Sequence, residues 1–142
     1  MSRSRLGVTA LLQLLALVLL TGACSATTPR LEDLQDDPMA HVLPEGAREV
    51  SMSTDAGGRG LLGKDSPAAL LRTLEVPDGG EELFDTLRRE AEDAGWAPAG
   101  ELDEQLEHVV ALFTRDPGAA DNVQLALTWD RGESVLIALT GR

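Results

Sequence analysis

Apolar residues along this chain change their spacing several times, and each change marks an element. From Leu6 to Leu20 they run almost unbroken, with Gln13 the one strongly polar position and Thr9 the only hydroxyl, and from Ser25 to Val42 they are sparse. Between Arg48 and Thr54 they alternate, Val50 and Met52 being separated by Glu49, Ser51 and Ser53, which predicts a half-buried strand. Asp55 to Lys64 holds Gly57, Gly58, Gly60 and Gly63 and predicts a loop or wide hairpin. Leu70, Leu74 and Val76 fit a second strand interrupted by Arg72, or else a short helix capped by Ser66 ahead of Pro67. A strand over 70–76 is favoured, because the first strand needs a partner and Pro77 ends the segment.

The spacing then becomes helical. Phe84, Leu87, Ala91 and Ala94 share one face, with Asp78 as N-cap and Glu81 three residues on in a capping-box arrangement. Gly95 supplies a left-handed C-terminal position, Pro98 prevents resumption, and Trp96 is expected to fold back as a core plug. The opposite face, with Asp85, Arg88, Arg89, Glu90, Glu92 and Asp93, reads as solvated surface.

Alternation returns after the acidic stretch 100–107. From His108 to Arg115 both parities are apolar, Val109, Ala111 and Phe113 against Val110 and Leu112, as in a strand buried on both faces. Val123, Leu125, Leu127 and Trp129 alternate with Gln124, Ala126 and Thr128. Asp116-Pro117-Gly118 and Asp130-Arg131-Gly132 read as turns, the second with glycine at positive φ, and Val135 to Thr140 forms the last strand. The expected fold class is α+β: a two-layer sandwich of one main helix on a mostly antiparallel sheet of four to five strands, in the order β-β-α-β-β-β.

Composition changes the picture at the N-terminus. Arg3 and Arg5 precede the apolar run, which at 15 residues is short of the roughly 20 that cross a bilayer as a helix. Basic start, apolar centre and small-residue end make a secretory signal. Thr21, Gly22 and Ala23 lead to Cys24, the sole cysteine, and the stretch Leu20-Thr21-Gly22-Ala23-Cys24 resembles the lipobox of bacterial lipoproteins. It departs from the usual motif in carrying Thr21 three places before the cysteine, with Leu20 one place further back. The resemblance implies cleavage between Ala23 and Cys24 and a diacylglycerol thioether on Cys24. The alternative is an ordinary secretory signal cut near Ala23 or Ala26. Residues 1–23 are thus expected as a lipoprotein signal peptide, 24–42 as an acidic disordered tether, and 43–142 as a single α+β domain that folds alone.

Charge narrows the partners. The formal net charge of −12 becomes −14 once 1–23, with two arginines and no acid, is removed. Such an anion repels phosphate backbones and anionic headgroups, so nucleic acid is excluded and membrane contact is expected only through lipid on Cys24. With one cysteine there is no disulfide framework.

Candidate chemistry is thin. Glu32, Asp33, Asp36 and Asp37 lack the glycine and terminal glutamate of a calcium loop. The Gly57-Gly58-Arg59-Gly60 run has neither the helix start nor the lysine-serine pair of a phosphate cradle. His41 and His108, the only imidazoles, read as a loop residue and a strand-rim residue, and no G-x-S-x-G elbow exists. No catalytic residue, cofactor or metal is assigned, and the chain is not expected to be an enzyme. Lipobox, tether, the helix closed by Gly95-Trp96 and the following meander together resemble small lipoproteins of high-GC Gram-positive bacteria whose functions are mostly undefined. The expected function is a lipid-anchored, non-catalytic accessory or binding module of the cell envelope, with an envelope protein, glycan or small ligand as partner. A scaffold without a ligand, or a small carboxylate-dependent hydrolase, are the alternatives. An apolar sheet face opposite the helix would favour binding, and a uniformly polar one the scaffold.

Overall fold

A computed structural model describes residues 28–59, 65–105, 107–115 and 123–141. The expected signal segment with Cys24 lies outside them, as do the turn expected at 116–118 and the glycines at 60 and 63.

In chain order the elements are helix α1 (Thr28–Gln35), a 3-10 turn (Pro38–Ala40), strands β1 (Arg48–Asp55), β2 (Gly58–Arg59), β3 (Asp65–Ser66) and β4 (Ala68–Glu75), helix α2 (Gly80–Asp93), and strands β5 (Ala97–Pro98), β6 (Asp103–Glu104), β7 (Val109–Thr114), β8 (Val123–Trp129) and β9 (Ser134–Gly141). The fold is α+β, with one main helix on an antiparallel sheet. The main sheet runs β1-β4-β9-β8-β7-β5, with β6 also on β7. It has seven strands rather than four to five, the additional pieces β5 and β6 being two residues long. Helix α2 carries the chain from β4 to the far side of the sheet, and β7-β8-β9 meanders back until β9 lies beside β4.

Segment 66–76 is a strand, starting at Ala68 rather than Leu70. The glycine-rich segment extends the β1–β4 hairpin through the β2–β3 ribbon. Gly57 is required there: φ is +69°, and a Cβ would meet the backbone of Ser66 and Ala68.

The core lies between the sheet and the helices. Leu83, Phe84, Leu87 and Ala91 of α2 pack against Val109, Ala111 and Phe113 of β7, Leu125 and Leu127 of β8, and Val135, Ile137 and Leu139 of β9. Trp96 is buried, as its position past the helix predicts. The chain enters it through a Schellman closure: Gly95 has φ +86°, its N–H donates to the Glu92 carbonyl, and the Trp96 N–H reaches back to Ala91.

The other end of α2 departs from expectation. The helix begins at Gly80 with Gly79 as N-cap, and no side chain caps it. Asp78 instead sits at φ +55° in a turn closed by Gly79 N–H donating to the Val76 carbonyl. Pro77 fixes the second position of that turn, which demands positive φ at the third, and aspartate tolerates it better than most residues. Gly80 is needed for contact rather than conformation: a Cβ there would run into the Gly132 carbonyl oxygen and Trp129 Nε1. In the β8–β9 turn, positive φ falls on Arg131 (+59°) and not on the glycine. Asp130 Oδ1 accepts from Gly132 N–H and supplies the bend.

Two expectations about burial are corrected. Strand β1 is not half-buried but exposed along its whole length, because α1 packs over β4 and β9 and leaves the edge strand bare. Strand β7 is covered on one face only: Val109, Ala111 and Phe113 are buried, while Leu112 is 53% exposed.

The largest correction concerns 28–42, expected as disordered tether. It forms α1 and the 3-10 turn, and Leu34, Met39 and Ala40 are part of the core, with Leu31 and Val42 packed against it. Two polar clusters hold it down. Asp37, 4% exposed, caps the 3-10 turn by accepting from Met39 N–H at 2.9 Å; it also accepts from Trp96 Nε1 at 3.3 Å and pairs with Arg115 at 2.9 Å. Arg115 lies over the Trp96 ring at 4.9 Å and donates to the Ala94 carbonyl, completing an otherwise open carbonyl at the end of α2. Arg72, also 4% exposed, pairs with Glu49 at 2.5 Å and donates to the carbonyls of Val42 (3.0 Å) and Met39 (3.3 Å). A buried guanidinium needs such partners, and the N-terminal segment provides two of the three.

Candidate binding surface

Alternation in β4, β9, β8 and β7 sends one set of side chains to the core and the other away from the helices. Strand pairing aligns the outward set in rows: Leu71, Ala138, Ala126 and Leu112 in one, Thr73, Leu136, Thr128 and Val110 in the next, Ala69, Thr140, Gln124 and Thr114 in a third. Neither helix packs on this face. Leu71 and Leu112 are 38% and 53% exposed. Among these strands the outward positions carry a single charge, Glu75, at one end, where it accepts from Ser134 Oγ and pairs with Arg48 at 3.0 Å. In a chain of net charge −12, an uncharged face built of leucine, valine, alanine and threonine is the outstanding surface feature.

At the β7 margin the face continues into a groove of about 390 Å³. It exists because β5 and β6 pair with opposite ends of β7, at Phe113–Thr114 and at Val109–Val110. Along the connection between them, Ala99 N–H donates to the Leu112 carbonyl. Pro98, Leu102, Leu112 and Phe113 make the groove apolar, and Arg88 of α2 stands at its wall. The Arg88 guanidinium lies 6.0 Å from the Phe84 ring centroid and 3.5 Å from the Asp85 carboxylate, while its Nε is buried without a partner. The arrangement can hold an apolar group with a charged one beside it, Arg88 and Glu101 both standing on the lining.

The histidines and acids do not converge. His41 is exposed and its Nε2 contacts the Gln35 carbonyl at 2.5 Å; His108 stands just ahead of β7, half-buried. Among the described residues no group of three or more histidine, cysteine, aspartate or glutamate side chains is placed to hold a metal ion. Asp37, the one acid of the N-terminal cluster that is buried, is spent on Met39, Trp96 and Arg115. Ala23 and Cys24, the expected cleavage and lipidation site, lie outside the described residues. The outward face was not assigned from sequence, although its signal was present: apolar residues on both parities of 109–113 meant two faces with contacts to make. No family model, no curated protein and no solved structure matches this chain.

Proposed function

We propose that this protein is an exported, lipid-anchored module of the cell envelope that binds an envelope protein without catalysing a reaction. The N-terminal pattern ending at Cys24 supports the anchor. Two or three acyl chains at about 0.8 kcal/mol per buried CH₂ hold a protein at a membrane essentially permanently. The observation that carries the binding role is the uncharged outward face of β4, β9, β8 and β7. Mixed in leucine, alanine and threonine, it suits an apolar protein surface better than a sugar, which needs paired polar groups. A scaffold without a ligand has no use for such a face.

The test is site-specific photocrosslinking in intact cells. A photoreactive residue at Leu112 or Ala126 is expected to give a discrete adduct, and one at Glu90, on the exposed side of α2, none. Leu71→Asp is expected to abolish the Leu112 adduct. Equal labelling from Glu90, or no adduct from either sheet position, would reject the binding reading in favour of the scaffold.

A further inference from the structure

The sheet has two long margins, and they are treated differently. On one, β5 and β6 cover the ends of β7. On the other, β1 pairs with β4, and among the described residues no further strand lies beyond it. Open edges are usually blunted by lysine, proline, inward charge or a bulge; β1 confines these to its start, where Glu49 turns inward to Arg72 beside the bulge, and Ser51 to Thr54 carries none. Val50 and Met52 stand 44% and 49% exposed on this bare strand.

A bulge between Glu49 and Ser51 alters the parity of β1. Arg48 lies opposite Glu75 and Asp55 opposite Ala69, so these two residues, seven apart in sequence, share the outward face. Met52 and Thr54, opposite Arg72 and Leu70, share the inward face with Glu49. Two copies pairing edge to edge about a two-fold axis normal to the sheet must oppose residues of the same face. Centred on Met52, the strand meets this condition over its whole length. Met52 faces Met52 of the second copy, Ser51 faces Ser53, Glu49 faces Thr54, and Arg48 faces Asp55 at both ends. No like charges are opposed. Centring on Ser51 sets Met52 against Glu49, and centring on Ser53 leaves Arg48 without an opposite.

We infer that β1 is a self-pairing edge through which two copies of this chain join their sheets into one. Arg48 is available, its side chain being 73% exposed despite the contact with Glu75. Asp55 uses Oδ1 to accept from Gly57 N–H and keeps Oδ2 for Arg48 of the second copy. The bulge sits at one end and leaves Ser51 to Asp55 in unbroken register. This inference does not rest on the outward-face reading, and Leu71→Asp is expected to leave the pairing intact.

The experiment is oxidative crosslinking of the full chain in intact cells, followed by non-reducing electrophoresis, with the unsubstituted chain as the Cys24 background. Directly opposed Cβ atoms lie about 4.5–5.5 Å apart, close enough for a disulfide with small adjustment. Met52→Cys is expected to yield covalent dimer at least tenfold above Glu90→Cys. Arg48→Asp added to Met52→Cys is expected to remove most of it, and further addition of Asp55→Arg to restore it. Dimer from Met52→Cys no greater than from Glu90→Cys overturns the inference, and so does a crosslink indifferent to Arg48→Asp or not restored by Asp55→Arg.

Discussion

Replacing Asp37 by alanine tests whether the N-terminal segment belongs to the folded unit. Three interactions disappear together. The 3-10 turn loses the acceptor for Met39 N–H, a cap worth about 1 kcal/mol. Trp96 Nε1 keeps its burial and loses its acceptor, at a cost of about 1–3 kcal/mol, with the lower half of that range favoured by the 3.3 Å separation. Arg115 loses its ion pair, but with 42% of its side chain exposed it rehydrates, and that contribution is about 0–1 kcal/mol. The expected loss is about 2–4 kcal/mol, or about 8–16 °C in Tm at roughly 4 °C per kcal/mol for a domain of this size. The assay is a thermal melt of residues 28–142 followed by circular dichroism, with Arg115→Ala alongside. Arg115→Ala should also destabilise, because it leaves the buried Asp37 carboxylate without its counter-ion and removes the cation over Trp96 and the donor to the Ala94 carbonyl. A loss below about 1 kcal/mol for Asp37→Ala would refute the close packing of the segment. The same reasoning reverses the expectation that residues 43–142 fold alone. That fragment lacks Leu34, Met39 and Ala40 and strips Arg72 of two carbonyl acceptors, so it should melt without a cooperative transition where 28–142 shows one.

Three further outcomes are expected. Gly80→Ala, which on helix propensity alone would stabilise by about 1 kcal/mol, should instead destabilise by about 1–3 kcal/mol in urea titration, because its methyl meets the Gly132 carbonyl; a gain in stability would count against the close approach. Arg88→Met should change the melt by less than about 0.5 kcal/mol or raise it, since it relieves a buried donor without a partner; a loss above 1 kcal/mol would show that the guanidinium is satisfied after all. Cys24→Ala should move the protein from the membrane fraction to the soluble one, and retention at wild-type levels would sink the anchor.

What could be read from the sequence was local. The alternation of Val123 to Trp129, the helical stripe Phe84-Leu87-Ala91 and the closure at Gly95-Trp96 each depend on residues within a few positions, and each appears as expected. What failed was decided at a distance. Asp37 looks like one more solvated acid until Trp96, 59 residues on, brings it an indole N–H. Arg72 interrupts an apolar strand pattern because its acceptors, Met39 and Val42, lie 33 and 30 residues away. Leu31 and Leu34 are too few to declare a helix face. Asp78 was misread for the opposite reason: the Pro77-Asp78 turn outcompetes the capping box for the same residue. The outward face escaped because alternation assigns the inner side of a strand and leaves the other to be taken as polar.

The stapling of residues 28–42 also sets how far the protein can search. A coil of about 18 residues would have let the domain roam roughly 25 Å above a membrane. With the folded unit starting at Thr28, a lipid on Cys24 leaves four residue steps, no more than about 14 Å fully extended. Under the proposed anchor such a domain would be moored rather than leashed, meeting partners that diffuse beside it in the same plane and not those held further from the membrane.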